Sequence, residues 1–161
     1  MTLFIRRYQK SDIPAILQLA HQMKDTKTET GGENYFSKFR VSDEKLTQLL
    51  EQNVNNIRFF LSLIVGEDDK PVGGLMATVT EVFFSRDTVA KDLSFFLLPE
   101  ARQVNVTKRL IEQYVEWANN RGVVEIQLAN STGIEQERFG KLMTRSGFRH
   151  FMNGYSKERE S

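Results

Sequence analysis

The sequence predicts one α/β domain, with a mixed central sheet of about six to seven strands and about four flanking helices. Apolar strand-like runs and amphipathic helical periods follow one another in the order βααβββαβαβ, with a cap or breaker at most junctions. Length supports the same reading. A chain of 161 residues is long enough to bury one substantial core but not two, so residues 1–161 are read as a single domain.

Leu3 to Tyr8 reads as the first strand. Ser11 can cap the helix that follows, Pro14 is tolerated in its first turn, and Ile13, Ile16, Leu17, Ala20 and Met23 form one apolar stripe. Asp25 to Lys38 is polar around Gly31 and Gly32 and reads as a loop of the kind that covers sites. Ser42 or Asp43 then caps a short amphipathic helix through Leu46, Leu49 and Leu50, which frays near Asn53 to Asn56. Arg58 to Gly66 and Val72 to Phe84 make an antiparallel hairpin across a polar turn. Gly73 and Gly74 within it signal a bulge or a close backbone approach.

Asp92 to Leu98 reads as the central strand, and Val106 to Ala118 as a long amphipathic helix closed by Gly122. Another buried strand is expected at Val123 to Ala129, then a helix through Phe139, Leu142 and Met143 ending at Gly147. Phe148 to Ser156 reads as a last strand or hairpin.

The most informative stretch is LSFFLLPEARQVNVTKRL, from Leu93 to Leu110. It runs from an apolar strand through Pro99 into a helix, a junction that aims backbone N–H groups at an anion with the helix dipole behind them. Phosphate loops usually need glycine so that the backbone can approach closely. Arg102 to Thr107 contains none.

A formal charge of +1, spread along the chain, gives no field for nucleic acid. The absence of cysteine removes disulfides, thiolate metal sites and a cysteine nucleophile. His21 and His150 stand far apart without paired acidic spacing, so no metal site is expected. No apolar run approaches the roughly 20 residues that span a bilayer. A soluble cytoplasmic protein without membrane or nucleic-acid partners is the expectation.

Four stretches carry a family likeness: IRRYQKSDIPAILQLAHQM, KPVGGLMATV, LSFFLLPEARQVNVTKRLIEQYVEWANNRG and LMTRSGFRHFMNGYSKE. Over nearly its whole length the chain resembles the GNAT superfamily of acyl-CoA-dependent N-acetyltransferases. HQM, WANNRG, NSTGI and GF…GYSKE look similar to GNAT-like proteins of tailed phages and prophages.

The resemblance implies that the strand ending at Leu98 splays from the one at Val123 to Ala129 and opens a wedge for acetyl-CoA. Backbone groups of Phe96 and Leu97 would bond the pantetheine amides. The pyrophosphate would sit on the turn formed by Arg102, Gln103, Val104, Asn105, Val106, Thr107 and Lys108. Arg102 matches the family's pattern there, whereas Asn105 and Thr107 stand where it has small residues. The Thr107 hydroxyl, Lys108 and Arg109 offer replacement donors. Ser131 either helps cap the last helix or touches the pantetheine arm.

Acetyl transfer needs a deprotonated amine, a polarised thioester oxygen and a stabilised thiolate. Asp92, Glu81 and His21 are the candidate bases. The family's usual tyrosine for the thiolate is replaced by Met143, leaving Tyr155 or Tyr114 as substitutes, of which Tyr114 reads more readily as core. The leading expectation is an enzyme transferring acetyl from acetyl-CoA to a primary amine of a small molecule or peptide, with a homodimer allowed by the sheet edges. The alternative is a catalytically degenerate GNAT-like binding or assembly module.

Overall fold

In a computed structural model, which describes residues 2–130 and 132–160, the sheet is built first from antiparallel neighbours. β1 (Phe4–Arg7), β2 (Phe59–Val65), β3 (Pro71–Glu81) and β4 (Thr88–Leu97) pair in sequence order, and β5 (Glu125–Ile126) joins β4 in parallel. Four helices flank it: α1 (Ile13–Asp25), α2 (Asp43–Gln52), α3 (Val104–Asn119) and α4 (Gln136–Arg145).

The sheet therefore has five strands among the described residues, not six to seven. The strand expected at 148–156 has no regular structure, and Phe151, Met152 and Tyr155 are exposed there. Strand propensity reports fit to a pleated, half-buried surface. This segment pairs with no strand among the described residues and buries no face. The strand expected at 123–129 shrinks to two residues for a reason that shapes the site, given below.

β2 is buried along its whole length because both faces are covered. On one face Phe60 and Ile64 pack with Leu75, Ala77 and Ala90 against Val106, Leu110 and Tyr114 of α3. On the other, Phe59, Leu61 and Leu63 meet Ile13 and Ile16 of α1 and Leu50 of α2. These side chains alternate along the strand, as the period of two requires.

The start of α1 is fixed by charge. Arg6 donates to both oxygens of the buried Asp12 at 2.8 Å, and the backbone N–H of Gln9 donates to Asp12 Oδ2 at 2.8 Å. The Arg6 guanidinium holds Asp12 below the ordinary carboxylate range. Asp12, not the expected Ser11, thus organises this helix entry. Ser42 caps α2 as expected, its hydroxyl accepting from the Lys45 N–H at 3.2 Å.

Close approach explains the glycine pair in β3, and the β2–β3 ladder also shifts register beside it, where Ile64 faces Gly73, Val65 faces Pro71 and Val72 is unmatched. A Cβ on Gly73 would lie 2.8 Å from the Phe96 carbonyl oxygen, and one on Gly74 would lie 2.9 Å from that of Ser62. The irregularity of the β3–β4 ladder falls elsewhere, at Met76/Ala77. Met76 faces Ser94, Ala77 faces Asp92, and Leu93 is left unmatched between them.

Candidate functional site: a wedge beside the central strand

β4 remains paired with β3 as far as Leu97, but its pairing with β5 stops at Ala90 and Ile126. One further bond, from the Gln127 N–H to the Ala90 carbonyl at 2.8 Å, precedes the split. Beyond it the two chains separate. The outer edge of β4 then faces Asn130, residues 132–135 and α4 across a cavity of about 180 Å³.

The strand lends this cavity Phe95, Phe96 and Leu97, while Arg102, Val104 and Thr107 enter from the following turn and α3. Ile134, Phe139 and Leu142 form an apolar wall opposite, and Arg138, Lys141 and Arg145 add charge from α4. Phe95 and Phe139 are in ring contact at 6.0 Å across the cavity. The lining thus combines an apolar slot with a cationic rim, chemistry suited to a largely uncharged chain ending in anionic groups.

At the apex stands Asp92. Its Oδ1 accepts from the Ala129 N–H at 2.9 Å, taking the place that a strand carbonyl would hold had β5 continued. Its Oδ2 is shut off from solvent and has no hydrogen-bond partner among the described residues. Burial outweighs that backbone bond and pushes the carboxyl up to about 6. Tyr114 lies beneath, donating its hydroxyl to the Gln127 carbonyl at 2.7 Å, and burial raises its phenol above the ordinary range. It packs in the core, as the sequence reading preferred.

At the mouth, Pro99–Ala101 forms a 3-10 turn before α3. Among the described residues only Asp69 and Glu135 combine a side chain with positive φ, so this turn contains no left-handed residue. Glycine loops gather several N–H groups through such residues. The Thr107 hydroxyl is committed to the Gln103 carbonyl at 2.8 Å. Arg102 bends back, donating through Nε to the Leu97 carbonyl at 3.1 Å and pairing with Glu135 at 3.4 Å. Arg138 pairs with the other Glu135 oxygen at 3.4 Å and donates to the Arg102 carbonyl at 3.1 Å.

The polar loop after α1 reaches this rim. Glu29 accepts from the Glu135 N–H at 3.0 Å, a bond that lowers its carboxyl, and the Tyr35 N–H donates to the Thr132 carbonyl at 3.1 Å.

Of the residues expected at the cofactor, Phe96, Leu97, Arg102, Val104 and Thr107 line the cavity. Val106 is buried in the α3 core instead, because a helix starting at Val104 turns that position inward. Asn105 is exposed, and exposed Lys108 lies 3.9 Å from Glu112, one turn along α3. Gln103 is the N-cap residue of α3, and Ser131 lies outside the described residues.

Among the expected catalytic residues, Asp92 stands at the fork where β5 parts from β4 but is not among the residues lining the cavity. His21 bonds Asp43 at 2.8 Å on the exposed faces of α1 and α2, Glu81 lies 4.0 Å from Arg86 near the β3–β4 turn, and Tyr155 is 95% exposed. Met143 is buried and absent from the cavity lining. The sequence reading missed the contribution of α4. Its only visible signal was basic residues three and seven positions apart, 138, 141 and 145, on a helix taken only for its apolar stripe.

The profile of the Acetyltransferase (GNAT) family matches residues 22–148, and the chain belongs to that family, whose co-substrate is acetyl-CoA. Among solved structures it is similar to glucosamine-6-phosphate N-acetyltransferase from Arabidopsis thaliana, with a TM-score of 0.71 at 16% identity over 99% of this chain and 100% of that one. It is also similar to aminoglycoside 6'-N-acetyltransferase AAC(6')-Ih from Acinetobacter baumannii, with a TM-score of 0.67 at 16% identity over 99% and 100%. AAC(6')-Iy, in complex with a CoA-linked bisubstrate analog, gives 0.70 at 18% identity over 100% of both chains. No curated protein sequence matches. These likenesses establish the fold, and none speaks for a phage-type member.

Among the described residues no group of His, Cys, Asp and Glu is arranged to hold a metal, and no helix is long and apolar enough to cross a membrane.

Proposed function

We propose that this chain is an N-acetyltransferase that moves the acetyl group of acetyl-CoA to a primary amine of a small molecule or peptide. One observation carries the reading: an unpaired edge of β4 faces an apolar cavity whose rim has four cations and one carboxylate. The free edge offers main-chain groups to the pantetheine amides, Phe95, Leu97 and Phe139 exclude water, and the basic rim suits the phosphates. Acetyl-CoA, when bound, supplies the activated thioester.

Asp92 is the best base among the candidates. With its carboxyl at about 6 it is ionised at neutral pH, and because it stands at the fork behind the cavity lining, the proton of the attacking amine reaches its Oδ2 through an intervening water. Bond formation from the amine nitrogen to the acetyl carbon breaks the C–S bond. No tyrosine lines the cavity among the described residues, and its one carboxylate, Glu135, is held by Arg102 and Arg138, so the sulfur leaves as thiolate and takes its proton from water. Most of the acceleration then comes from holding the reactants together.

The amino sugars named for the similar structures are the first acceptors to assay. Release of free thiol from acetyl-CoA in their presence tests the reading, and absence of binding heat at millimolar acetyl-CoA would sink it. Replacing Asp92 by Asn keeps the bond to Ala129 while removing the base. The expected result is a kcat about a hundredfold lower, with the acid limb near pH 6 abolished.

The buried Met143 favours the second reading, a binding module without turnover. Tight acetyl-CoA binding with no thiol release from any amine would select it. The enzyme reading has the protein work in the cytoplasm, with acetyl-CoA and an amine as its partners.

A further inference from the structure

We infer that this chain holds the phosphates of CoA chiefly from the α4 side, with Lys141 and Arg145 in the role that a glycine turn has elsewhere; the inference rests on the acetyl-CoA reading above.

The turn after β4 is poorly equipped for the task. It has no left-handed residue to gather its amides, its one cavity-lining hydroxyl is spent on the Gln103 carbonyl, and neither Lys108 nor Arg109 lines the cavity. Arg102 does line it, but Glu135 and the Leu97 carbonyl already hold its guanidinium.

The opposite wall has what the turn lacks. Arg138, Lys141 and Arg145 follow at three and seven residues along α4, which brings them onto one face over about 10 Å of helix. All three line the cavity. Arg138 is bound to Glu135 and to the Arg102 carbonyl, so it stiffens the rim. Lys141 meets only Glu137 at 3.3 Å, an exposed neighbour that holds it weakly. Arg145 has no carboxylate partner among the described residues. These two cations remain available to phosphate oxygens, and Arg145 can grip two at once through its planar fork.

The charge balance agrees. In a chain of net charge +1, this one cavity gathers four cations against the single carboxylate of Glu135, a concentration that an uncharged acyl chain alone would not require.

Calorimetry with two probes decides the matter: acetyl-CoA, and S-acetylpantetheine, which lacks the phosphates and the adenosine they carry. The variant is Lys141→Gln with Arg145→Gln, both on an exposed helix face, and Lys45→Gln on α2 shows the effect of losing a single positive charge away from the cavity. The double variant should bind acetyl-CoA about tenfold more weakly or worse, with S-acetylpantetheine unchanged and Lys45→Gln like the parent. Unchanged acetyl-CoA affinity in the double variant overturns the inference. Equal weakening of both probes overturns it too, since the loss would not concern phosphate. If the parent chain binds neither probe, the acetyl-CoA reading itself falls, a result distinct from both.

Discussion

From Thr88 to Ala90, β4 has a strand on each side, β3 antiparallel and β5 parallel, whereas from Asp92 to Leu97 only β3 remains. The first region is ordinary sheet, its backbone satisfied by two ladders and Ala90 fully buried. The second keeps one ladder and turns its other edge to a cavity. Such an edge is a liability unless something covers it. Here Asn130, residues 132–135 and α4 stand off far enough to leave a slot. The difference teaches that the site is made by ending a ladder, and that Asp92 and Tyr114 mark where it ends.

Breaking the paired side should have the largest effect. Gly73→Val puts a branched side chain where even a Cβ lies 2.8 Å from the Phe96 carbonyl oxygen, and should cost about 4 kcal/mol in urea unfolding. A loss below about 1 kcal/mol would mean that β3 and β4 can move apart without penalty.

Asp92 tests the junction through pH. Its carboxyl sits at about 6 in the fold against 3.8 ordinarily, so the ionised form is disfavoured by folding. The folded chain therefore binds more protons than the unfolded one between these values, and stability must fall as pH rises across that window. Asp92→Asn should lack the decline and gain up to about 3 kcal/mol relative to the parent by neutral pH, at roughly 1.4 kcal/mol per pH unit. Parallel stability curves from pH 3 to 7 would refute the burial of this charge.

Tyr114→Phe removes the hydroxyl that holds the Gln127 carbonyl at 2.7 Å, just before the split. Unfolding should cost about 1–2 kcal/mol less, and hydrogen exchange should rise at the Gln127 N–H more than along β2. The smallest effect belongs to the far end of the hairpin. Phe83 and Phe84 are 98% and 77% exposed, and changing either to Ser should alter stability by less than about 0.5 kcal/mol. A larger loss would extend the rigid region to the hairpin tip.

Much of the fold was legible in local pattern. The stripe of Ile13, Ile16 and Leu17, the Ser42 cap, the long helix closed by Gly122 at φ +69° and the largely apolar β2 all follow from period and breaker chemistry. Segments whose structure depends on a distant partner were misread. Residues 148–156 have strand-like composition yet pair with no strand among the described residues, and the run after Ile126 leaves the sheet although Leu128 and Ala129 are apolar.

The site divides along the same line. Phe96, Leu97 and Arg102 were found because a strand, a proline and a basic turn are contiguous. Lys141 and Arg145 were not, because they meet the turn only when α4 folds back across the cavity.

The sequence alone determined the four helices and the antiparallel core strands β2 and β3, since periodicity and capping act over a few residues. It also determined that the phosphate turn has no glycine and that no tyrosine stands at position 143. Tertiary structure decided the rest. Where β5 parts from β4, which carboxylate is buried at the fork and which cations face the slot depend on contacts between residues far apart in the chain, and no local pattern encodes those distances.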